Sequence, residues 1–295
     1  MDFDVVGIGQ CALDYLAEVD KYPDLDDKVE LDGIKVEGGG PTATAMVTLS
    51  RLNVNTAFIG KVGDDDPGEK IIGGLRREGV DTNAVVVESG KSSQLAFIVV
   101  EKDSAKRNIF FTRGTAAPLT FYEINTGIID TCSILHLDGL MIDVSIEAAK
   151  YAKKRGIKVS LDAGTLRDGM MDLIKHTDYL VTSEKFAKSF IGGADFDSAL
   201  HELKKLGPEI VGITLGHEGS IALKDGTIHR QPAYKVDAVD TTGAGDVYHG
   251  AFIYAMLKRF DIKRTLAFAS FMAGMKCRAL GGRSAIPRAA ECDII

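Results

Sequence analysis

Short apolar segments alternate with longer segments of helical periodicity along most of this 295-residue chain. Residues 5–9 form the first apolar segment, and its glycines are typical of a buried parallel strand. Beyond residue 130 the alternation is regular, and it predicts, in order, a strand at 134–137, a helix at 145–154, strands at 158–161 and 179–181, helices at 184–190 and 197–206, and a strand at 210–214. Strands that alternate with helices form crossover units. We therefore predict an α/β fold, a three-layer, Rossmann-like and mostly parallel sheet with helices on both faces.

The first 113 residues carry a second pattern, in which apolar and polar positions alternate as in a sheet with one solvated face. This pattern marks segments 15–19, 29–36, 94–101 and 107–112, and the last two form a predicted hairpin around a polar loop. We expect these segments to make a small β-sheet lid, drawn from about residues 12–36 and 92–113, over one edge of a single domain that spans residues 1–295. Between the two lid segments, the pattern predicts a helix at 42–52 and then a strand at 56–60. A second helix follows and ends at about residue 78.

Charge and composition narrow the class of partner. The chain has 35 basic and 42 acidic residues, a net charge of −7, with both signs mixed along its length. Without a basic patch, nucleic acid and anionic membrane surfaces are disfavoured, and a small-molecule partner is favoured. The N-terminal residues are acidic where a secretory signal is basic, and no apolar segment approaches the ~20 residues that span a bilayer. We predict a cytoplasmic protein with four reduced thiols, since the cysteines lie far apart: Cys11, Cys132, Cys277 and Cys292.

The most informative motif is Asp-Thr-Thr-Gly-Ala-Gly-Asp at residues 240–246, followed by an apolar, helix-compatible segment at 247–257. Glycines at a helix N-terminus let the main chain approach an anion closely, and the unpaired N–H groups there favour phosphate. Asp246 would repel a phosphate, but it is suited to take the proton of a hydroxyl that attacks one. The alternative interpretation is a polar loop that caps the helix through Asp240 or Thr242.

Other glycines and a serine follow predicted strands on the same side of the sheet. They are Gly9, residues 38–40, Ser183, Gly216 and Gly243. An open parallel sheet binds its ligands beyond the carboxyl ends of its strands, so we predict one cleft at this edge.

Four motifs occur in the order found in the ribokinase-like, or PfkB, carbohydrate kinases, which essentially the whole chain resembles: 37–45 (EGGGPTATA), 214–220 (TLGHEGS), 240–246 (DTTGAGD) and 281–287 (GGRSAIP). In motif wording the chain is most similar to sulfofructose kinase-like and ketohexokinase-like members. The resemblance implies an ATP-dependent carbohydrate kinase that transfers the γ-phosphoryl group to a hydroxymethyl group of a small sugar, a ketose or a sugar acid. Asp246 would be the general base, and the phosphoryl group would be held at Thr241, Gly243, Ala244 and Gly245.

The resemblance also implies a sugar site, whose residues would be Asp14, Gly38, Gly39, Gly40, Gln94, Asn108 and Arg113. A carboxylate accepts hydrogen bonds from neighbouring hydroxyls, and an arginine holds a carboxylate, phosphate, sulfonate or ring hydroxyls. The chain departs from ribokinase proper, because the glycine loop lacks a lysine and an asparagine and Ala12 replaces a polar residue. An arginine expected near Leu140 for a sulfonate is also missing.

For the nucleotide, the resemblance implies binding by Ser183, Thr214, Gly216 and Gly219. Glu184 would hold Mg²⁺ through water, or would simply begin a helix, where an acid is favoured in any case. The backbone around Asp240, Thr242, Cys277 and Gly282 is similar to the monovalent-cation loop of the family, so K⁺ is a candidate cofactor beside ATP and Mg²⁺.

Two alternatives stay open, and a third is disfavoured. A nucleoside kinase of the same family would need an aromatic clamp in the lid, where Phe97, Phe110 and Phe111 are candidates. A non-catalytic sugar-binding sensor with this fold would have no need of Asp246. An NAD-dependent enzyme would need a glycine fingerprint after the first strand, which the chain lacks. Exposed apolar lid strands often pair between subunits, so we expect a homodimer through the lid.

Overall fold

The computed structural model describes residues 2–292. In chain order, its strands are β1 (Val5–Ile8), β2 (Ala12–Val19), β3 (Lys35–Gly39), β4 (Thr56–Ile59), β5 (Lys61–Gly63), β6 (Val86–Glu88), β7 (Leu95–Glu101), β8 (Lys106–Thr112), β9 (Ile134–Leu137), β10 (Lys158–Ala163), β11 (Tyr179–Ser183), β12 (Ile210–Thr214), β13 (Ser220–Lys224) and β14 (Thr227–Gln231). The helices are α1 (Pro41–Arg51), α2 (Asp66–Arg77), α3 (Thr126–Ile129), α4 (Ile142–Lys154), α5 (Met170–Ile174), α6 (Glu184–Ile191), α7 (Phe196–Lys204), α8 (Ala244–Leu257) and α9 (Ile262–Lys276).

The main sheet has eight strands in the order β14-β13-β12-β11-β10-β9-β1-β4. The strands from β12 to β4 are parallel, and β13 and β14 add an antiparallel edge. Successive side chains point to opposite faces. Val6 and Ile8 enter the core covered by α4 to α7, whereas Val5 and Ile134 enter the core covered by α1, α2, α8 and α9. The predicted mostly parallel sheet with helices on both faces is confirmed, although the sequence pattern missed β13, β14 and α9.

A separate four-stranded sheet has the order β3-β2-β7-β8, and we call it the lid sheet. The predicted hairpin is present as β7 and β8, which pair antiparallel. The predicted strand at 29–36 is wrong in its bounds, because β3 comprises Lys35–Gly39 and residues 28–34 form no strand. Val29 and Ile34 are exposed, so no buried face fixes a pairing for them.

The carboxyl ends of the parallel strands face one edge of the main sheet, and α8 begins there as well. Asp138 follows β9 at this edge, and its carboxylate accepts hydrogen bonds from the Gln10 N–H (2.7 Å) and the Thr42 hydroxyl (2.9 Å). These bonds join the end of β1 to the start of α1. Within residues 2–292, no helix is both long and apolar enough to cross a membrane.

Candidate active site

Helix α8 begins at a left-handed glycine whose neighbours leave peptide N–H groups unpaired. Gly243 is the N-cap with φ 75°, and a Cβ there would lie 2.9 Å from the Cα of Gly282, so only glycine fits without strain. Within the described part of the chain, the N–H groups of Gly243, Gly245 and Asp246 have no acceptor. This helix end is therefore open to an anion.

Ala244 differs from its neighbours. Its N–H donates to the Thr241 carbonyl at 3.2 Å, closing the turn before the helix. The contact of Ala244 with the phosphoryl group stays a prediction; in this structure its N–H is already bonded, and the free donors are those of residues 243, 245 and 246.

Asp240 fixes the turn that leads into α8, and it is fully buried. One carboxylate oxygen accepts the N–H and the hydroxyl of Thr242 (2.8 and 2.7 Å), and the other accepts the Gly281 N–H (2.8 Å). Burial alone would raise the pKa of Asp240, but the charge of Lys276 and these hydrogen bonds hold that pKa below its usual value. The carboxylate therefore keeps its charge and its bonds at neutral pH.

Asp246 lies in the first turn of α8, partly buried among other titratable groups. Burial raises the pKa of Asp246 from 3.8 to about 7, and repulsion by the Asp162 carboxylate adds to the rise, while His249 opposes it. His249 Nε2 lies 3.2 Å from Asp162 Oδ1. A carboxylate with a pKa near neutrality is well matched to general base catalysis.

A cavity of about 410 Å³ lies between the lid sheet and the start of α8. The predicted sugar-site residues that line it together with Asp246 are Asp14, Gly39, Gly40, Gln94 and Arg113. Residues more than 130 positions apart in the sequence are thus brought to one cavity.

Asp14 is the buried acid of this cavity, with 7% of its surface exposed. Burial raises the pKa of Asp14 to about 6, and the buried guanidinium of Arg283 opposes this rise. A Cβ on Gly39 would lie 2.1 Å from the Asp14 carboxylate, and Gly40 has φ 93° with the Gln10 carbonyl 2.3 Å from such a Cβ. Gly39 is therefore needed for close packing against the acid, and Gly40 for the positive φ and the close approach to the Gln10 backbone.

Two predicted sugar-site residues do not line the cavity. Gly38 packs against Arg283, whose Nη1 would lie 2.3 Å from a Cβ at that position. Asn108 alternates with Arg107 and Ile109, which do line the cavity, so its side chain lies on the opposite face of the lid sheet. The sugar contacts of Gly38 and Asn108 stay predictions that the lining of this cavity does not support.

A second cavity, of about 870 Å³, adjoins the other side of the α8 start. The predicted nucleotide and phosphate residues that line it are Thr214, Gly216, Gly219, Thr241, Ala244 and Gly245. The two cavities therefore meet at residues 241–246.

Ser183 and Glu184 lie outside both linings. The Ser183 hydroxyl accepts the Phe186 N–H (3.0 Å) and donates to the Gly164 carbonyl (2.7 Å), so Ser183 is the cap of α6. Glu184 pairs with Lys188 at 2.5 Å in the first turn of that helix. The ATP contact of Ser183 stays a prediction, and of the two roles open for Glu184 its position favours the start of a helix. No group of three metal-ligating side chains occurs in residues 2–292.

The structure adds site residues that the sequence motifs did not mark. Arg107 and Arg167 line the smaller cavity with Arg113. Arg107 Nη1 donates to the Thr241 hydroxyl at 2.8 Å, which links the lid sheet to the turn before α8, while its Nε is buried without a partner. The only sequence signal was the alternation of β8, which places residues 107, 109 and 111 on one face.

An anion-binding helix end, a carboxylate with a raised pKa and a cavity on each side define a phosphotransferase on a doubly wound α/β sheet. The family model of the pfkB family carbohydrate kinases matches residues 2–289. This chain belongs to that family, and the prediction of an ATP-dependent carbohydrate kinase with a ribokinase-like fold is confirmed.

Individual relatives are distant but cover nearly the full length. The chain is 26% identical to a nucleoside kinase of Methanothermobacter thermautotrophicus, over 98% of this chain and 94% of the relative. It is 28% identical to an ATP-dependent ribose-1-phosphate kinase of Halopiger xanaduensis, over 95% and 94%. The crystal structure of ribokinase from Thermotoga maritima superposes with a TM-score of 0.86 at 25% identity, covering 99% of this chain and 98% of that one. The narrower resemblance to sulfofructose kinase-like and ketohexokinase-like members stays a prediction.

The raised pKa of Asp246 predicts a pH-dependent stability cost. Between pH 4 and 7 the folded state keeps a proton that the unfolded chain, with a carboxyl pKa near 3.8, has lost, so this group's contribution to stability falls as the pH rises. Asp246→Asn has no such proton, and its free energy of unfolding relative to the wild type should increase from pH 4 to pH 7 by a few kcal/mol.

The measurement is urea unfolding of both proteins across this pH range. Asp143→Asn, at the exposed start of α4, is the surface control. A difference between Asp246→Asn and wild type that stays constant with pH would contradict the raised pKa.

Proposed function

We propose that this kinase transfers the γ-phosphoryl group of ATP to a hydroxymethyl group of a small sugar at the junction of the two cavities. The observation that carries the proposal is the position of Asp246, which lines the cavity of Asp14 while its own helix end offers free N–H groups beside the larger cavity. In this assignment the larger cavity takes the nucleotide and the smaller one takes the sugar.

The chemistry follows from these positions. Asp246 accepts the proton of the sugar hydroxyl as the hydroxyl oxygen bonds to the γ-phosphorus, and the bond from that phosphorus to the bridging oxygen breaks, leaving ADP with the electron pair. The N–H groups of Gly243 and Gly245 stabilise the negative charge on the phosphoryl oxygens. Asp14 orients the sugar by accepting hydrogen bonds from its hydroxyls.

The residues fit a magnesium ion only if it arrives with the nucleotide. Mg²⁺ keeps much of its water shell and binds through substrate phosphates, where it neutralises charge. Since the described part of the chain groups no three metal-ligating side chains, ATP phosphates and water would supply most of its ligands.

A cytoplasmic location stays a prediction.

The homodimer through the lid also stays a prediction. Phe97 and Phe110 are exposed and form a cross-strand pair on the face of the lid sheet turned away from the cavity. This exposed aromatic pair supports a contact between subunits, which the mass of the protein in solution would test.

The substrate class is narrowed by the arginines of the smaller cavity. Among residues 2–292, the guanidinium groups of Arg113 and Arg167 have neither a hydrogen-bond nor an ionic partner, although the chain as a whole is acidic. Unpaired arginines that line a cavity favour an anionic group on the ligand. We therefore favour a sugar that carries a carboxylate or a phosphate over a neutral ketose.

A nucleoside kinase is the second candidate, favoured by the similarity to the Methanothermobacter nucleoside kinase. Phe111 lines the smaller cavity and offers one aromatic face for a base. Asp246 and the α8 start would act in the same way on the hydroxymethyl group of a nucleoside.

Replacing the base tests the reaction. With the fastest substrate from a screen of ketoses, sugar acids, sugar phosphates and nucleosides, Asp246→Asn should lower kcat on the order of 10³-fold and keep ATP affinity, because only proton removal and its positioning are lost. ATP consumption gives kcat, and calorimetry gives the nucleotide Kd. Asp143→Asn should match the wild type. Turnover by Asp246→Asn within tenfold of wild type would overturn the assignment of the base.

Replacing the arginines tests the substrate class. Arg113→Gln and Arg167→Gln should each lower kcat/KM for an anionic sugar about tenfold to hundredfold, because a charged hydrogen bond is lost. They should leave kcat/KM for a neutral sugar nearly unchanged. Arg77→Gln, at the exposed end of α2, is the matched control. Higher kcat/KM of the wild type for neutral sugars or nucleosides than for every anionic sugar would contradict this specificity.

A further inference from the structure

A buried lysine at the end of α9, which the proposed reaction does not use, contacts the turn before α8. Lys276 ends α9 and is fully buried, and its ammonium group donates to the Asp240 carbonyl at 2.7 Å. Burying an ammonium costs several kcal/mol unless it gains compensating partners. Here the partner is the backbone of Asp240, whose carboxylate is equally buried.

The Lys276 ammonium contacts Asp240, one of the residues that the sequence resemblance assigned to a monovalent-cation site. The residues of the expected site are Asp240, Thr242, Cys277 and Gly282. A potassium ion there would need free carbonyl and carboxylate oxygens, since hard cations take oxygen ligands.

Most of those oxygens already have donors. Both carboxylate oxygens of Asp240 accept N–H groups, and its carbonyl accepts Lys276. The Cys277 carbonyl accepts the N–H groups of Val239 (2.8 Å) and Asp240 (3.2 Å). Nearby, the Leu280 carbonyl accepts the ammonium of Lys35 at 2.7 Å. Among residues 2–292, the carbonyls of Thr242 and Gly282 accept no donor, but with Asp240 and Cys277 already bonded they leave too few free oxygens for an added potassium ion.

Lys276 is linked to the reaction centre through a short, fixed stretch of chain. Asp240 holds Thr242 by two hydrogen bonds, and the next residue is Gly243, the N-cap of α8. A shift of the Asp240 carbonyl would therefore move the N–H groups of Gly243 and Gly245. A displacement of about 1 Å at such a site costs as much as 10²-fold in rate.

We propose that the Lys276 ammonium is a built-in monovalent cation, a positioning group that holds the turn at residues 240–243 and makes the kinase independent of potassium. The kinetic part of this inference rests on the proposed transfer at Asp246, whereas the structural part does not. The two parts are tested by separate readouts.

The first test compares the wild-type protein in choline chloride, sodium chloride and potassium chloride at equal ionic strength. A cation that binds only the folded state would raise the unfolding temperature. We expect the same unfolding temperature of the ligand-free protein in all three salts, and kcat values within about twofold of one another. Potassium that stabilises the ligand-free protein, or raises kcat about tenfold or more, would overturn the proposal.

The second test removes the ammonium. Lys276→Met leaves Asp240 without its buried cation, and we expect kcat to fall on the order of tenfold to hundredfold in choline chloride. Potassium or ammonium ions should restore part of this loss and raise the unfolding temperature of the variant, because they can enter the vacated space. Lys276→Arg keeps the charge and should stay insensitive to the salt.

The control is Lys153→Met, which removes a lysine that pairs with the buried Asp178 at 2.6 Å, away from both cavities. This variant should lose stability without becoming dependent on potassium. A Lys276→Met protein that is fully active in every salt, or whose loss of activity no cation restores, would contradict the proposal.

If Lys276→Met does not fold, the salt comparison on wild type and Lys276→Arg decides. If no substrate is phosphorylated, the proposed function fails, while the unfolding temperatures still decide the role of Lys276.

Discussion

The site depends on the unpaired N–H groups at the start of α8. An anion held there gains the hydrogen bonds that Gly243 and Gly245 leave unused, and it lies at the positive end of the helix dipole. The same helix turn carries Asp246, whose own negative charge would repel that anion if the carboxylate were fully ionised and exposed. Burial and the neighbouring Asp162 raise its pKa to about 7, so Asp246 can shuttle a proton near neutral pH.

Three acids near the cleft differ in pKa because their surroundings differ. Asp240 is fixed by N–H groups and Lys276, which hold its pKa low. Burial raises the pKa of Asp14 to about 6, with Arg283 opposing the rise. The pKa of Asp246 is the highest of the three, since burial raises it and the charge of Asp162 adds to the rise. The first acid therefore supports the turn, the second suits hydrogen bonding to polyol hydroxyls, and the third suits proton transfer.

Much of this arrangement could be predicted from the sequence because it is local. The glycines and the acid of the α8 start lie within four residues, and the alternation of strands and helices gives the parallel sheet. The side of Asn108 could not be predicted, because a shift of one residue in strand register exchanges the faces of a sheet. The buried ammonium of Lys276 and the cavity position of Arg167 come from residues distant in sequence, and no local pattern encodes such contacts. The sequence predicts that Gly243 begins α8 with a free N–H group. It does not predict that the N–H of Ala244 is bonded to Thr241, because that bond depends on the geometry of the turn.

The most direct measurement is a crystal structure of the protein with Mg²⁺, a non-hydrolysable ATP analogue and the preferred sugar. We expect γ-phosphate oxygens about 3 Å from the N–H groups of Gly243 and Gly245, with the Asp246 carboxylate within hydrogen-bond distance of the hydroxyl to be phosphorylated. A γ-phosphate bound away from the start of α8, or an Asp246 carboxylate turned away from the sugar, would contradict this expectation.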